Sequence, residues 1–215
     1  MAVAMTFDSL QEDIRRYLER GQPADTSVYE QIPSLINLAE RDIARKLKIQ
    51  GFINVVTSTL VAGTSTYAKP DRWRRTVSMN FASNLANTER KQLFARDYEY
   101  CRDYWPNASL RGTPEYYADY DYQNWLIVPT PDTNQAWEIV YYQQPPYLED
   151  AVQTNWLTDY APQALLYGAL VQAEPFLKND ERIGTWQALY TTAVNDLNVE
   201  DLKKILDRNT TRQEA

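Results

Sequence analysis

The sequence predicts an α+β protein: a four-helix bundle body, an inserted aromatic-rich antiparallel β region and a flexible C-terminal arm. Three observations lead there. Both ends of the chain carry apolar residues at the spacing of amphipathic helices. The middle third replaces that spacing with β-branched and aromatic runs separated by turn residues. The final stretch, 209–215, has no large apolar residue to hold it against a core. The expected boundaries are 1–51 for the N-terminal part of the helical body and 52–151 for the inserted β-rich domain. The C-terminal part of the body follows at 152–206 and the arm at 207–215.

The first helix is expected to open at Ser9, with Glu12 three residues on as a capping box. Leu10, Ile14, Tyr17 and Leu18 then recur on one face, and Gly21 with Pro23 ends the helix. Ser27 and Glu30 repeat the capping spacing. Ile32, Leu35, Ile36, Ala39, Ile43 and Leu47 make the next stripe, with Pro33 near its start and Gly51 as its stop. From Phe52 the period changes. Strands are expected over 52–61, 76–81 and 137–142, with a turn at Gly63-Thr64-Ser65, a polar loop over 83–90 and a short helix over 97–104. The runs 115–120 and 125–128 can pair as a hairpin across 121–124. After Pro145-Pro146 helical spacing returns. Asp159 is expected to cap a helix bearing Leu165, Leu166, Ala169, Leu170 and Ala173, and Pro175 to end or kink it. Asp180 is expected to open a last helix with Ile183, Trp186, Leu189, Tyr190, Ala193, Val194 and Leu197 on its apolar face, running on through Leu202, Ile205 and Leu206.

Composition narrows the function. At 215 residues, 44% hydrophobic and 24% charged, the chain can bury a core. A net charge of −7 argues against a dedicated binder of the phosphate backbone. One cysteine, Cys101, leaves no intrachain disulfide and fits a reducing compartment. No apolar run is long enough to span a membrane, and the first ten residues do not read as a secretory signal. Histidine is absent, which removes Ser/His and Cys/His nucleophile pairs and His-dependent zinc sites. Neither a phosphate-binding P-loop nor a dinucleotide fingerprint occurs among the six glycines. No catalytic, cofactor or metal site is therefore expected.

Four features remain. Carboxylates cluster at Asp97, Glu99 and Asp103 and at Asp119 and Asp121, which is either a solvated face or the pair that a glycosidase needs. With 29 acidic residues, the solvated face is the simpler account. Tyr116, Tyr117, Tyr120, Tyr122, Trp125 and Tyr142 crowd the β region. Such rings suit strands, and they suit interfaces that bury the ring and hydrogen-bond its tip, so these six are candidate contacts with other protein subunits. Arg72, Arg74 and Arg75 either contact DNA or an acidic partner or keep an edge strand soluble. Lys203, Lys204, Arg208 and Arg212 either complement a helix C-terminus or form an arm that orders on a partner.

Taken in order, INLAERDIARKLKIQGF at 36–52, VVTSTLVAGTSTYAKPDRWRRTVSMNF at 55–81 and LFARDYEYCRDYWPNAS at 93–109 resemble the head-to-tail adaptor proteins (connectors, or gatekeepers) of tailed, especially short-tailed, bacteriophages. The resemblance continues through GTPEYYADYDYQNWLIVPTP at 112–131, EIVYYQQPP at 138–146 and NWLTDYAPQALLYGALVQAEPFLKNDERIGTWQALY at 155–190. It implies a virion structural protein, made in the bacterial cytoplasm, that forms a ring, usually of twelve copies, between the portal protein and the tail nozzle or tube. It also implies that the C-terminal arm, with Lys203, Lys204, Arg208 and Arg212, reaches the portal, and that DNA passes through the ring without specific binding. Two other readings stay open: a tail-associated hydrolase of glycan or peptidoglycan built on the carboxylates, and another virion ring such as a stopper or tail-completion protein.

Overall fold

The computed structural model describes residues 4–20, 23–47, 50–82, 89–174 and 181–213, with side chains as far as residue 200. The helices are α1 (Phe7–Leu18), α2 (Thr26–Tyr29), α3 (Ile32–Lys46), α4 (Tyr98–Tyr104), α5 (Trp156–Tyr160), α6 (Pro162–Gln172) and α7 (Arg182–Gln213). The strands are β1 (Ile53–Leu60), β2 (Thr66–Ala68), β3 (Trp73–Ala82), β4 (Arg90–Ala95), β5 (Arg111–Gly112), β6 (Tyr116–Asp119), β7 (Asn124–Val128), β8 (Thr130–Pro131) and β9 (Gln135–Gln143). They fall into two compact units: Met1–Phe52 with Pro145–Ala215, which is helical, and Ile53–Gln144, which holds the sheets and α4.

The helical unit is not the expected four-helix bundle. In a bundle, four helices of equal rank each turn one stripe inward. Here α6 has no polar side to turn outward, and it packs on α3, α7 and α1. Gly168 marks how close these helices come. A Cβ there would lie 3.3 Å from Ala39 on α3 and 3.1 Å from Tyr190 on α7. By contrast, α7 buries, among its described side chains, the narrow stripe Trp186, Tyr190 and Val194, and leaves Leu189 and Val199 exposed.

The helix starts also differ from expectation in detail. Thr6, not Ser9, caps α1: its hydroxyl accepts from Ser9 N, and Ser9 Oγ accepts from Thr6 N. Glu12 pairs instead with Arg15 and Arg16 one turn on. The stretch opened by Ser27 divides into α2 and α3, and Pro33 sits in the first turn of α3. The helix expected to be capped by Asp159 is α6, which instead starts at Pro162 after Ala161 with no side-chain cap, while Asn155 caps the short α5 ahead of it by accepting from Leu157 N and Thr158 N. Pro162 then separates α5 from α6, because it has no N–H to donate and crowds the residue before it. Where a mobile arm is expected, the backbone of α7 stays helical through Gln213. A polar sequence can extend a helix already nucleated without burying anything. The helix end expected at Pro175 and the helix start expected at Asp180 lie outside the described residues, as does most of the loop expected at 83–90.

The β unit holds one curled sheet in the order β1-β9-β3-β4-β6-β7-β2 and a small pair, β5 with β8. It is not wholly antiparallel: β4 and β6 run parallel. The cause is α4, which lies between them, since a helical crossover returns the chain in the same direction. Elsewhere β9 pairs antiparallel with β1 and β3, and β6 forms a hairpin with β7. The curl encloses Leu60, Met79, Phe81, Leu93, Tyr117, Trp125, Ile127, Trp137, Ile139 and Tyr141 in one cluster. A second, smaller cluster of Cys101, Ala118, Leu126 and Val128 lies beneath α4.

Candidate functional site

The surface over α4 gathers the aromatic side chains that the β unit leaves outside. Helical spacing does the sorting. Cys101 points inward and is fully buried, with Trp105 one turn on packed against the same cluster. Burial raises the Cys101 thiol pKa, so it stays protonated and unreactive. Tyr100 and Tyr104, four residues apart, stack with ring centroids 6.2 Å from each other. Tyr98 and Arg102 share another line, and Arg102 Nε donates to the Tyr98 hydroxyl at 3.1 Å.

Strand β6 completes the surface. Tyr116 meets Tyr104 edge-on at 5.0 Å and Tyr100 at 5.5 Å. Tyr120, just beyond the strand, lies 5.9 Å from Tyr98. Two guanidinium groups sit among the rings: Arg96 is 5.5 Å from both Tyr100 and Tyr116, and Arg102 is 5.1 Å from Tyr98 and 5.8 Å from Tyr120. Tyr104 donates to Glu115 Oε2 at 2.9 Å, and this bond to a carboxylate raises its phenol pKa. The hydrogen bond with Tyr100 does the same for Tyr116. Both phenols therefore stay neutral. Beside them Phe94, paired with Tyr116 across β4 and β6, is 53% exposed. Rings already locked by neighbours lose little freedom on contact, which favours a protein-binding surface.

The six aromatic candidates separate on this geometry. Tyr116 and Tyr120 belong to the surface, and Tyr122 projects from the β6–β7 turn at 83% exposure. Tyr142 is half-buried on β9. Tyr117 and Trp125 point into the curl. Trp125 is fully buried, edge-on to Trp73 at 6.0 Å and Trp137 at 5.7 Å, so both are core residues of this chain. Sequence reasoning did not single out Phe94, Tyr98, Tyr100, Tyr104, Arg96 or Arg102 as contacts. The alternation of Tyr and charge over 96–104 was their available signal.

The carboxylates have structural work. Lys69 is only 4% exposed along its side chain, and its ammonium is held by Asp119 at 2.7 Å, the Asp121 carbonyl at 2.9 Å and the Trp73 ring at 3.9 Å. Asp121 accepts from the Gln123 and Asn124 amides and from the Asn124 side chain, which shapes the hairpin turn. Its pKa is lowered, first by the Asn124 side-chain bond, the opposite of what a general acid needs. Asp97 stands at the N-terminus of α4, where a negative charge suits the helix dipole.

Lys203, Lys204, Arg208 and Arg212 lie on the helical backbone of α7, but their side chains lie outside the described residues. Among the described residues no helix is long and apolar enough to cross a membrane. The family model described as SU10 adaptor protein matches residues 5–213. No curated protein matches the chain.

Proposed function

The chain belongs to the SU10 adaptor protein family, a phage head-tail adaptor family of virion structural proteins, and we propose that it works as a ring, of twelve copies, between the portal and the tail nozzle or tube. The observation that supports this reading best is the exposed surface over α4. Five tyrosines and two arginines are set there in fixed mutual geometry, and the Asp121 carboxyl in the adjoining hairpin turn has a lowered pKa, the opposite of what a general acid needs. Such a surface can bind protein strongly, and it offers no machinery for bond cleavage. We assign the chain no catalytic role.

In this reading the ring surrounds the DNA path. A body of net charge −7 repels the duplex and lets it slide. The C-terminal half of α7, with Lys203, Lys204, Arg208 and Arg212, reaches the portal, and the β unit supplies contacts to neighbours and the nozzle. Electron cryo-microscopy of the purified chain mixed with portal particles of its own phage tests the proposal. The expected image is a ring capping the portal, with density for 203–213 against portal subunits. A portal left bare at every salt concentration would overturn it.

A further inference from the structure

A closed ring needs two unlike faces on each subunit, because a face that pairs with its own copy stops at a dimer. The β unit carries two such faces. The first is the surface over α4, where Phe94, Tyr98, Tyr100 and Tyr104 are exposed. Asp97, Glu99, Asp103 and Glu115 are exposed around them, while its two cations, Arg96 and Arg102, are already engaged with rings.

The second face lies on the outside of β1, β9 and β3. The register aligns Ile53 with Tyr142 and Arg75, and Val55 with Val140 and Ser78. Val55 is 53% exposed, and Val77, at an irregularity in β3, is 47% exposed. Arg72 and Arg75 are exposed at its margin and hold no ion pair with any described residue. Strand β1 is also an edge of the sheet, and Ile53–Leu60 contains neither a charge nor a proline. Free-standing edge strands ordinarily carry one or the other to prevent pairing. An unprotected edge beside an apolar face is the arrangement of a surface that is covered in use.

The faces match each other and not themselves. Two copies of the first would bring carboxylates together, and two copies of the second would bring arginines together. Strands β1 and β6 are four inter-strand steps apart, about 19 Å along the sheet, so the faces can be occupied at once. We infer that consecutive copies of this chain join through unlike faces of the β unit, the tyrosine and carboxylate surface over α4 of one copy seating on the outer face of β1, β9 and β3, with Arg72 and Arg75, of the next. This deepens the ring reading above and rests on it. It gives the arginines of 72–75 an acidic partner, in place of DNA.

Charge reversal tests it on the full chain, with self-association followed by sedimentation and copies per portal counted by native mass spectrometry. R72E/R75E and E99R/D103R are each expected to weaken self-association about 100-fold, since both create like-charge contacts. Combining all four reversals in one chain should restore it to within about tenfold of the wild type. Mixing the two double variants should also restore association, because each keeps the face the other lost. Melting temperatures should hold, as all four positions are exposed. The inference is overturned if single-face reversals leave association unchanged, if the fourfold variant is no better than either double variant, or if the wild type stays monomeric both free and beside the portal. A wild type that self-associates with the expected rescue but ignores the portal would instead overturn the placement in the virion and leave this contact standing.

Discussion

The two units dispose of their unusual side chains in opposite directions. The helical unit turns a charge inward. Glu40 on α3 is 2% exposed, forms no ion pair among the described residues, and accepts from Leu148 N and from Asn155 Nδ2. Asn155 also bonds the Pro146 carbonyl and caps α5, so this one carboxylate gathers α3, the 146–155 segment and the start of α5. The β unit does the reverse. It fills its interior with Trp125, Trp137 and Tyr141 and still turns a second set of rings outward over α4. A buried charge that organises a fold belongs to a scaffold, whereas exposed rings held in place belong to a contact surface.

The sharpest test of that contrast is to remove one ring from each side of the sheet. Trp125→Ala empties the inner cluster and should cost about 3–5 kcal/mol in urea or thermal unfolding of the monomer. Tyr100→Ala, on the outer side, should cost less than about 1 kcal/mol of folding stability while weakening self-association. Equal folding losses would mean that the outer rings are also core.

Glu40 comes next. Burial raises its pKa from 4.5 to about 7. The native state therefore holds the proton more tightly than the unfolded chain. Its stabilising contribution is complete below pH 4.5 and is lost as pH rises toward 7, by at most about 3 kcal/mol. Glu40→Gln keeps an acceptor for Leu148 N or Asn155 Nδ2 and removes the titration. It should flatten the dependence of unfolding free energy on pH between 5 and 8 and raise stability at pH 8. A variant that keeps the wild-type slope would show that another group sets it.

Smaller effects sharpen the same contrast. The Tyr190 hydroxyl donates to Asp42 Oδ2 at 2.7 Å, tying α7 to α3, so Tyr190→Phe should cost about 1–2 kcal/mol by denaturant unfolding. Tyr104→Phe also removes a bond to a carboxylate, but an exposed one, and should leave folding stability unchanged within the error of the same measurement. A larger loss at Tyr104 than at Tyr190 would break the distinction between a scaffold unit and a contact unit.

Much of the secondary structure was legible in the residues. The apolar spacing of Ile32, Leu35, Ile36, Ala39 and Ile43 lies on α3, and the β-branched run after Phe52 is β1. The mixture of helices and strands was legible for the same reason, and the ordered segments carried the family. The four-helix bundle was not there to be read. Periodicity reports that a helix has an apolar side, not how many neighbours press on it, and α6 has apolar residues all round. The parallel pairing of β4 with β6 was equally hidden, since it follows from α4 acting as a crossover and not from any residue in either strand.

By itself the sequence determined which segments become helix or strand, that the chain carries no histidine chemistry, and to which family it belongs, because these depend on local spacing, composition and ordered similarity. Only the tertiary structure decided which aromatic residues are core and which are surface. Tyr116 and Tyr117 are adjacent and identical, yet the pleat sends one outward beside α4 and the other into the curl. Which side of a strand becomes interior is settled when the sheet closes around Trp125, and that closure is made by residues far apart in the chain.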